Sequence, residues 1–407
     1  MSTATTYRYT VRDATGKTRS GTLEAADKKL VASRLREMGF APVSITPVET
    51  GGLQREISIP GFGPKVDLEA LSVFSRQFAT MIGSGVTLIR ALNILAEQTE
   101  NKKLAEIIGE MRSEIEGGRS LSDSLRKHED FPPLYVAMVK AGETAGNLDQ
   151  VLLRIADTLE KDLALRRKIK AALTYPVVVL ILAVFLTGVM LTFIVPTFVG
   201  MFESLGGELP LPTKMLLLMS AALRKFWWLL MLLPPLAWRG FLRARKVPEV
   251  RRRLDVVKLK LPVFGDLFHK VALSRFSRNF GTLIRSGVPI LTALEITADT
   301  VNNAVMGDAV NDVKLSVKEG ESIAAPLGRH EIFPPMVVQM IAVGEETGAL
   351  DTMLGKIADF YDSEVESTTE SLTAMLEPVM IAILGGLVGG MVISLYMPMF
   401  RIFDLIQ

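Results

Sequence analysis

Two carboxylates in a repeated octapeptide have the clearest capacity for chemistry in this chain. Glu143 stands in GETAGNLD at 142–149, and Glu345 stands in GEETGALD at 344–351, 202 residues later. A carboxylate at a helix corner can bind a cation, pair with a basic side chain, or receive an Arg or Lys from a partner. One carboxylate per turn is thin support for a metal site, because hard cations want several oxygens. The glycines suggest a corner: Gly142 suits the residue just past a helix, where positive φ costs glycine nothing. Asn147 is expected to cap the next helix, with Gln150 completing a capping box. Gly146 and Asp149 finish the first motif, and Gly344, Gly348 and Asp351 hold the equivalent places in the second. The motif is therefore read as a mechanical corner used twice. Each copy is expected to expose one acidic group that a corner alone does not require.

Other reactive residue types are sparse. His128 and His330 each precede an FPP turn, where a helix C-terminal histidine favours the macrodipole. Arg76 and Arg278 occupy matching places one turn into a helix, as bundle-pairing or partner-contacting groups. GSGV at 83–86 and RSGV at 285–288 lack the Lys-Ser/Thr of a phosphate loop, so no Walker-type nucleotide site is expected. The chain has no cysteine, which removes disulfides and thiolate chemistry. Its net charge of +2 gives no global basic field for nucleic acid. No cofactor is expected.

The elements that must position these groups divide between water and membrane. Of 407 residues, 49% are hydrophobic, with a mean hydropathy of +0.31. The apolar residues are concentrated: residues 177–195 carry no charge between Pro176 and Pro196, and residues 379–400 carry none between Pro378 and Arg401. Each matches a ~30 Å hydrocarbon core. A weaker middle span is placed at 226–242, opened by Phe226, Trp227 and Trp228 and kinked at Pro234–Pro235, with a buried amphipathic helix as the alternative. Lys and Arg flank the first two spans on one side, which puts residues 1–170 and 243–375 in the cytoplasm. The acidic approach to the last span, DFYDSEVESTTESLTAMLEP, offers no local positive signal. No signal peptide is seen at the start.

Sliding the chain on itself by 202 residues aligns FSRQFATMIGSGVTLIRAL with FSRNFGTLIRSGVPILTAL, and continues without a gap through Pro196 and Pro398. This is an internal duplication. Apolar spacing, as at Leu88, Leu92 and Leu95 or Ile107, Met111 and Ile115, makes each copy a bundle of short helices feeding a membrane helix. The expected fold is mainly α: a polytopic membrane protein with three transmembrane helices, two duplicated cytoplasmic bundles and a small N-terminal α/β domain. Its divisions are 1–50 for that small domain, 51–66 for a linker, 67–170 for the first bundle and 171–196 for the first span. There follow an external loop at 197–225, the second span at 226–242, the second bundle at 243–375, the third span at 376–400 and an external tail at 401–407. In the small domain, a turn at Thr15–Gly16 joins two strands, and a helix runs from Asp27 to Gly39.

The third span carries Gly385, Gly386, Gly389 and Gly390, two overlaid G-x-x-x-G pairs that allow close helix packing. They serve the protein's own spans or a symmetric homodimer.

KIKAALTYPVVVLILAVFLTGVMLTFIVP at 168–196 resembles the signature of the type II secretion F family, through Lys168, Tyr175, Pro176 and Pro196. The second copy departs from it, with Glu377 before Pro378. Both octapeptides resemble the family's repeated motif. The resemblance implies a non-enzymatic inner-membrane platform of a type IV pilus or type II secretion machine. It implies as partners a hexameric cytoplasmic assembly ATPase, pilin or pseudopilin subunits, other inner-membrane assembly components and lipid. Uncharged spans argue against two rivals, a transporter subunit and an intramembrane protease. A metal-dependent hydrolase built on Glu143 and Glu345 remains a third reading.

Overall fold

The structure is a computed structural model that describes residues 5–12, 18–25, 30–32, 35, 41–47, 65–203, 209–245 and 247–405. The chain falls into two units, Met1–Pro64 and Lys65–Gln407. In the first, strands β1 (Thr5–Arg12), β2 (Thr18–Ala25) and β3 (Ala41–Pro47) form an antiparallel sheet of order β2-β1-β3. Its register slips at Thr10 and Val11, where β3 pairs irregularly. Val31 and Leu35 are fully buried. The turn at Thr15–Gly16, the ends of the helix at Asp27 and Gly39, and most of the 51–66 linker lie outside the described residues.

The second unit is helical throughout its described residues. Its first repeat comprises α1 (Leu68–Gly83), α2 (Leu88–Gln98), α3 (Lys102–Glu116), α4 (Leu121–Leu125), α5 (Pro133–Ala145) and α6 (Leu148–Val189). A π-helical turn, Met190–Ile194, carries α6 into α7 (Val195–Glu203). The widened turn has a local cause: Pro196 lacks an N–H, and its ring would press on the carbonyl of Thr192 in a regular helix. A long bent helix, α8 (Leu211–Ala244), returns the chain, and α9 (Pro248–Lys260) follows it. The second repeat comprises α10 (Phe264–Arg285), α11 (Ile290–Thr300), α12 (Ala304–Lys318), α13 (Ala324–Leu327), α14 (Pro335–Thr347) and α15 (Leu350–Leu405).

The two repeats have the same core in duplicate. Phe74 stacks on Phe78 at 5.5 Å and meets Phe131 edge-on at 6.1 Å. Their counterparts Phe276, Phe280 and Phe333 make the same cluster, at 5.9 and 5.0 Å. Leu92, Leu95 and Met111 are fully buried, with Leu88 and Ile115 packed beside them, as their spacing predicts. One contiguous apolar core joins both repeats. One divergence leaves a mark: Tyr135 gives Ser75 a hydroxyl neighbour at 3.4 Å, whereas the matching Val337 leaves the buried Ser277 hydroxyl without a partner among the described residues.

Helices α6 and α15 are each long and apolar enough to cross a membrane. Their less exposed positions recur at three and four residues, as at Ala172, Pro176, Val179 and Ala183 on α6 and Leu376, Met380, Leu384 and Leu387 on α15. This spacing is the packing seam of a helix pair. At one end Leu165, Val365 and Leu372 cluster with Leu267; at the other Leu191 and Val195 meet Leu395.

Three expectations need correction. The stretch 197–225 is not simply a loop, because α7 and the first half of α8 occupy most of it. The tail is helical through Leu405, as α15 continues without a break. The middle segment is a bent pair, Leu211–Leu229 and Met231–Ala244, at 54° to each other, with non-helical angles at Phe226. Pro234 and Pro235 free and crowd the carbonyls of Leu230 and Met231, one turn upstream, at the junction of the two halves.

Candidate functional site

The doubled corner lies between α5 and α6 in the first repeat, and between α14 and α15 in the second. Its helix runs further than its glycines suggest: α5 continues through Glu143 to Ala145, and Gly146 is the left-handed cap, at φ 73°. Gly348 plays that part for α14, at φ 68°. Gly142 and Gly344 are instead helical and buried, and are required for closeness. A Cβ on Gly142 would lie 3.0 Å from the Val151 side chain, and one on Gly344 would lie 3.0 Å from the Leu350 backbone. Asn147 makes no side-chain cap, and its buried Oδ1 has no partner among the described residues, so the expected capping box does not form.

The carboxylates turn inward. Glu143 accepts hydrogen bonds from the backbone N–H of Leu121 (2.6 Å) and of Ser122 (3.1 Å). Glu345 accepts from Ile323 (2.9 Å to each oxygen) and from Ala324 (3.3 Å). Each therefore satisfies the unpaired amides at the start of a very short helix, α4 or α13, from a distance of 22 residues. A helix of five or four residues cannot stand on its own hydrogen bonds. The expected exposed acidic contact is thus corrected: both glutamates are half-buried caps, and the exposed tip of the corner is Thr144 and Ala145, or Glu346 and Thr347.

The last residue of the motif differs between copies. Asp149 lies exposed in the first turn of α6. Asp351 accepts from Arg285 Nε at 3.1 Å, and Arg285's carbonyl accepts in turn from Arg154 of the first repeat at 2.6 Å. Partial burial pushes the Asp351 carboxyl up, but Arg285 and the Thr352 amide outweigh it and hold it below its ordinary value. The second octapeptide is therefore tied to the other repeat through one arginine, and the first copy has Gly83 where that arginine stands.

The paired arginines hold the bundles together. Arg76 donates from Nε to Glu160 (2.6 Å) and from Nη2 to Glu160 (2.6 Å) and Asp157 (2.5 Å), bridging α1 to α6. These hydrogen bonds raise the arginine further above its ordinary value and lower Glu160. Arg278 pairs with Asp362, which also accepts from Ser274 at 2.5 Å, bridging α10 to α15. His128 and His330 sit at matching turns, with Nε2 3.9 Å from Glu110 and 3.8 Å from Asp312.

The signature lysine finds its partner in the other repeat. Lys168 pairs with Glu366 at 2.6 Å, and one heptad earlier Lys161 pairs with Asp359 at 2.8 Å. The equal steps mean that α6 and α15 run parallel, with the contacts 198 residues apart rather than the repeat's 202. Asp162 pairs with Arg275 at 3.1 Å, and Lys270 with Glu364 at 3.0 Å. Asp359, Asp362, Glu364 and Glu366 of the acidic approach to the last span are thus paired with basic groups on α6 and α10. Tyr175 is exposed beside the buried Pro176, and Pro196 is half-buried. Among the glycines of the last span, a Cβ on Gly385, Gly386, Gly389 or Gly390 would meet nothing within 4 Å. Among the described residues they have no close neighbour on the protein's own spans.

Single-sequence reasoning missed the cross-repeat contacts and His269, whose Nε2 lies 2.6 Å from the Ile332 carbonyl. The heptad step between Lys161 and Lys168, matched by Asp359 and Glu366, was the available signal.

Comparison with known proteins follows the same divisions. The family model for type II secretion system protein F matches residues 74–196 and again 276–398, the same 202-residue displacement. The model of its N-terminal domain matches residues 1–46. A type IV pilus assembly protein PilC from Thermus thermophilus is 46% identical over 97% of this chain and 98% of its own length. A PilC from Myxococcus xanthus is 42% identical over 98% and 96%. A type II secretion system protein F from Xanthomonas campestris is 37% identical over 88% and 89%. With the duplicated bundles, the paired apolar helices and matches of this extent, the chain belongs to the type II secretion system protein F family.

Proposed function

We propose that this protein is a membrane platform of a type IV pilus assembly machine, which couples a cytoplasmic hexameric ATPase to insertion of pilin subunits without catalysing a reaction itself. The observation that carries this reading is the continuity of α6 and α15 from the octapeptide corner to the apolar span. Helix α6 is 42 residues long, roughly 63 Å at 1.5 Å per residue, and runs without interruption through Pro176 from bundle to span. A displacement at the corner is therefore delivered to the membrane. The names of the relatives at 46% and 42% identity support the pilus reading. The secretion protein at 37% supports the alternative, the same platform in a type II secretion machine.

In this reading the N-terminal α/β unit and both bundles lie in the cytoplasm, and α8 returns through the inner membrane as a third, bent span. Other inner-membrane assembly components would meet the chain there. The free glycine face of α15 is assigned to a homodimer contact. The motor meets the exposed tips at Thr144 and Glu346, while Glu143 and Glu345 hold their shape.

The absence of native cysteine makes the test direct. A single Cys at Thr144 or Glu346, crosslinked in piliated cells, is expected to capture the assembly ATPase. Failure to capture it at either position, in variants that still assemble pili, would remove the corner from the coupling path.

A further inference from the structure

The return segment after α8 has no counterpart in the duplication, so the bundle architecture does not account for its composition. Between Arg239 and Lys260 the chain has nine Lys or Arg and two Asp or Glu, although the whole protein carries only +2. The remainder of the chain is therefore net acidic, and this elbow carries an excess of seven positive charges.

The structure describes eight of these nine cations and divides them into two groups. One group is engaged within the fold: Arg252 pairs with Asp308 of the second repeat at 2.8 Å, and within α9 Lys258 pairs with the buried Asp255 at 2.6 Å. Asp255 also caps α12 by accepting from Ala304 N–H at 3.0 Å. Arg251 reaches Asn302 at 3.4 Å, and Arg245 lies over the Phe241 ring at 5.6 Å. In the other group, Arg239, Arg243, Arg253 and Lys260 are exposed and make no ion pair among the described residues. The approach to α6 shows the contrast. There Arg166 pairs with Asp162 (2.9 Å), Arg167 with Glu69 (2.7 Å) and Lys168 with Glu366 (2.6 Å).

The free cations are interleaved with exposed apolar groups: Trp238 is 65% exposed, Val257 57% and Val263 53%. Aromatic and aliphatic side chains beside unpaired Arg and Lys suit the boundary between hydrocarbon and charged headgroups. A soluble acidic partner would match the charge but not the tryptophan and valines.

We propose that the α8–α9 elbow is a binding surface for anionic phospholipid headgroups, held in fixed register with the second repeat by the Asp255 and Asp308 contacts. The proposal rests on the reading above that α8 and α9 lie at the membrane. Its function would be to seat the second repeat against the lipid surface.

The test uses the full chain reconstituted into bilayers containing spin-labelled phosphatidylglycerol or spin-labelled phosphatidylcholine. The wild-type protein is expected to immobilise phosphatidylglycerol preferentially, and the preference should fall as salt is raised. Each neutralised cation is expected to weaken that preference by about fivefold. The combined variant Arg239→Gln, Arg243→Gln, Arg253→Gln, Lys260→Gln should therefore treat the two lipids alike. These substitutions leave the anchoring pairs of α9 untouched; if the combined variant does not fold, Arg253→Gln and Lys260→Gln are measured singly. The control Arg166→Gln, Arg167→Gln, Lys168→Gln should keep the preference.

Equal association of the wild-type protein with both lipids would overturn the proposal, as would an equal loss in the control. Preference surviving in the combined variant, with a protein crosslink lost instead, would make the elbow a protein contact and also overturn it. A wild-type chain that enters neither bilayer would overturn the membrane reading itself, a distinct result.

Discussion

At the scale of single residues, the octapeptide is conserved between the repeats for three separate physical reasons. Glu143 and Glu345 supply the acceptors that a four- or five-residue helix lacks, Gly142 and Gly344 allow two helices to approach, and Gly146 and Gly348 take a left-handed conformation. Replacing Glu143 by Ala removes the acceptor for two backbone amides and should cost about 1–2 kcal/mol locally. Hydrogen exchange at Leu121 and Ser122 should accelerate accordingly, by roughly five- to thirtyfold, while amides at the start of α6 change little. The two glycine types separate by substitution. Asn tolerates the left-handed region, so Gly146→Asn should stay within about 1 kcal/mol of wild type. Gly142→Asn forces α5 from α6 and should cost about 1–3 kcal/mol, as read by thermal unfolding. Ser277→Ala should be neutral or stabilise by up to about 1 kcal/mol, because it removes a buried hydroxyl without a partner.

At the scale of elements, the two repeats are joined by side chains that the duplication alone does not provide. Lys161–Asp359 and Lys168–Glu366 are exposed, so each should contribute no more than about 1 kcal/mol. Their value is in register. Cys pairs at 161 with 359 and at 168 with 366 should be joined by a short bis-maleimide, whereas 161 with 366 should not. Equal yields for all three pairs would contradict the parallel seam. Acid should loosen the bundles at defined joints. Glu160 and Asp351 have lowered pKa values in the folded state, so their contribution to stability is full above the unfolded-state value of about 4. It is lost as pH falls through the lowered folded values. Arg76→Ala should remove the Glu160 part, so that the variant's melting temperature declines less steeply below pH ~4 than that of wild type.

At the scale of the whole molecule, duplication has produced two similar arms with unequal wiring. Arg285 ties the second corner to the first repeat through Arg154, and the first corner has Gly83 in the matching place. Under the proposed function, the arms should respond differently to the same lesion. Arg285→Ala should uncouple them, lowering pilus assembly while leaving protein level and ATPase capture near wild type; unchanged assembly would count against a coupling role. Among the described residues nothing lies close to Gly385, Gly386, Gly389 or Gly390, which fits the proposed dimer contact on that face.

Much of this was legible in the residue string. An ungapped displacement of 202 residues identifies a duplication, and charge-free runs bounded by proline identify two helices that can lie in hydrocarbon, because both are properties of order and composition along one chain. Helical periodicity likewise marked Leu92, Leu95 and Met111 as core, since it reports which face of a helix is apolar. Periodicity does not report what a polar side chain meets across the fold. Glu143 looked exposed from its corner, but its partners lie 22 residues away on another helix. Lys168 looked like half of an unmatched signature, yet its partner comes from the other copy with a four-residue stagger. The capping of α4 and α13 and the parallel seam were decided by packing, where the need to satisfy backbone amides and neutralise carboxylates selects among partners that sequence leaves equally possible.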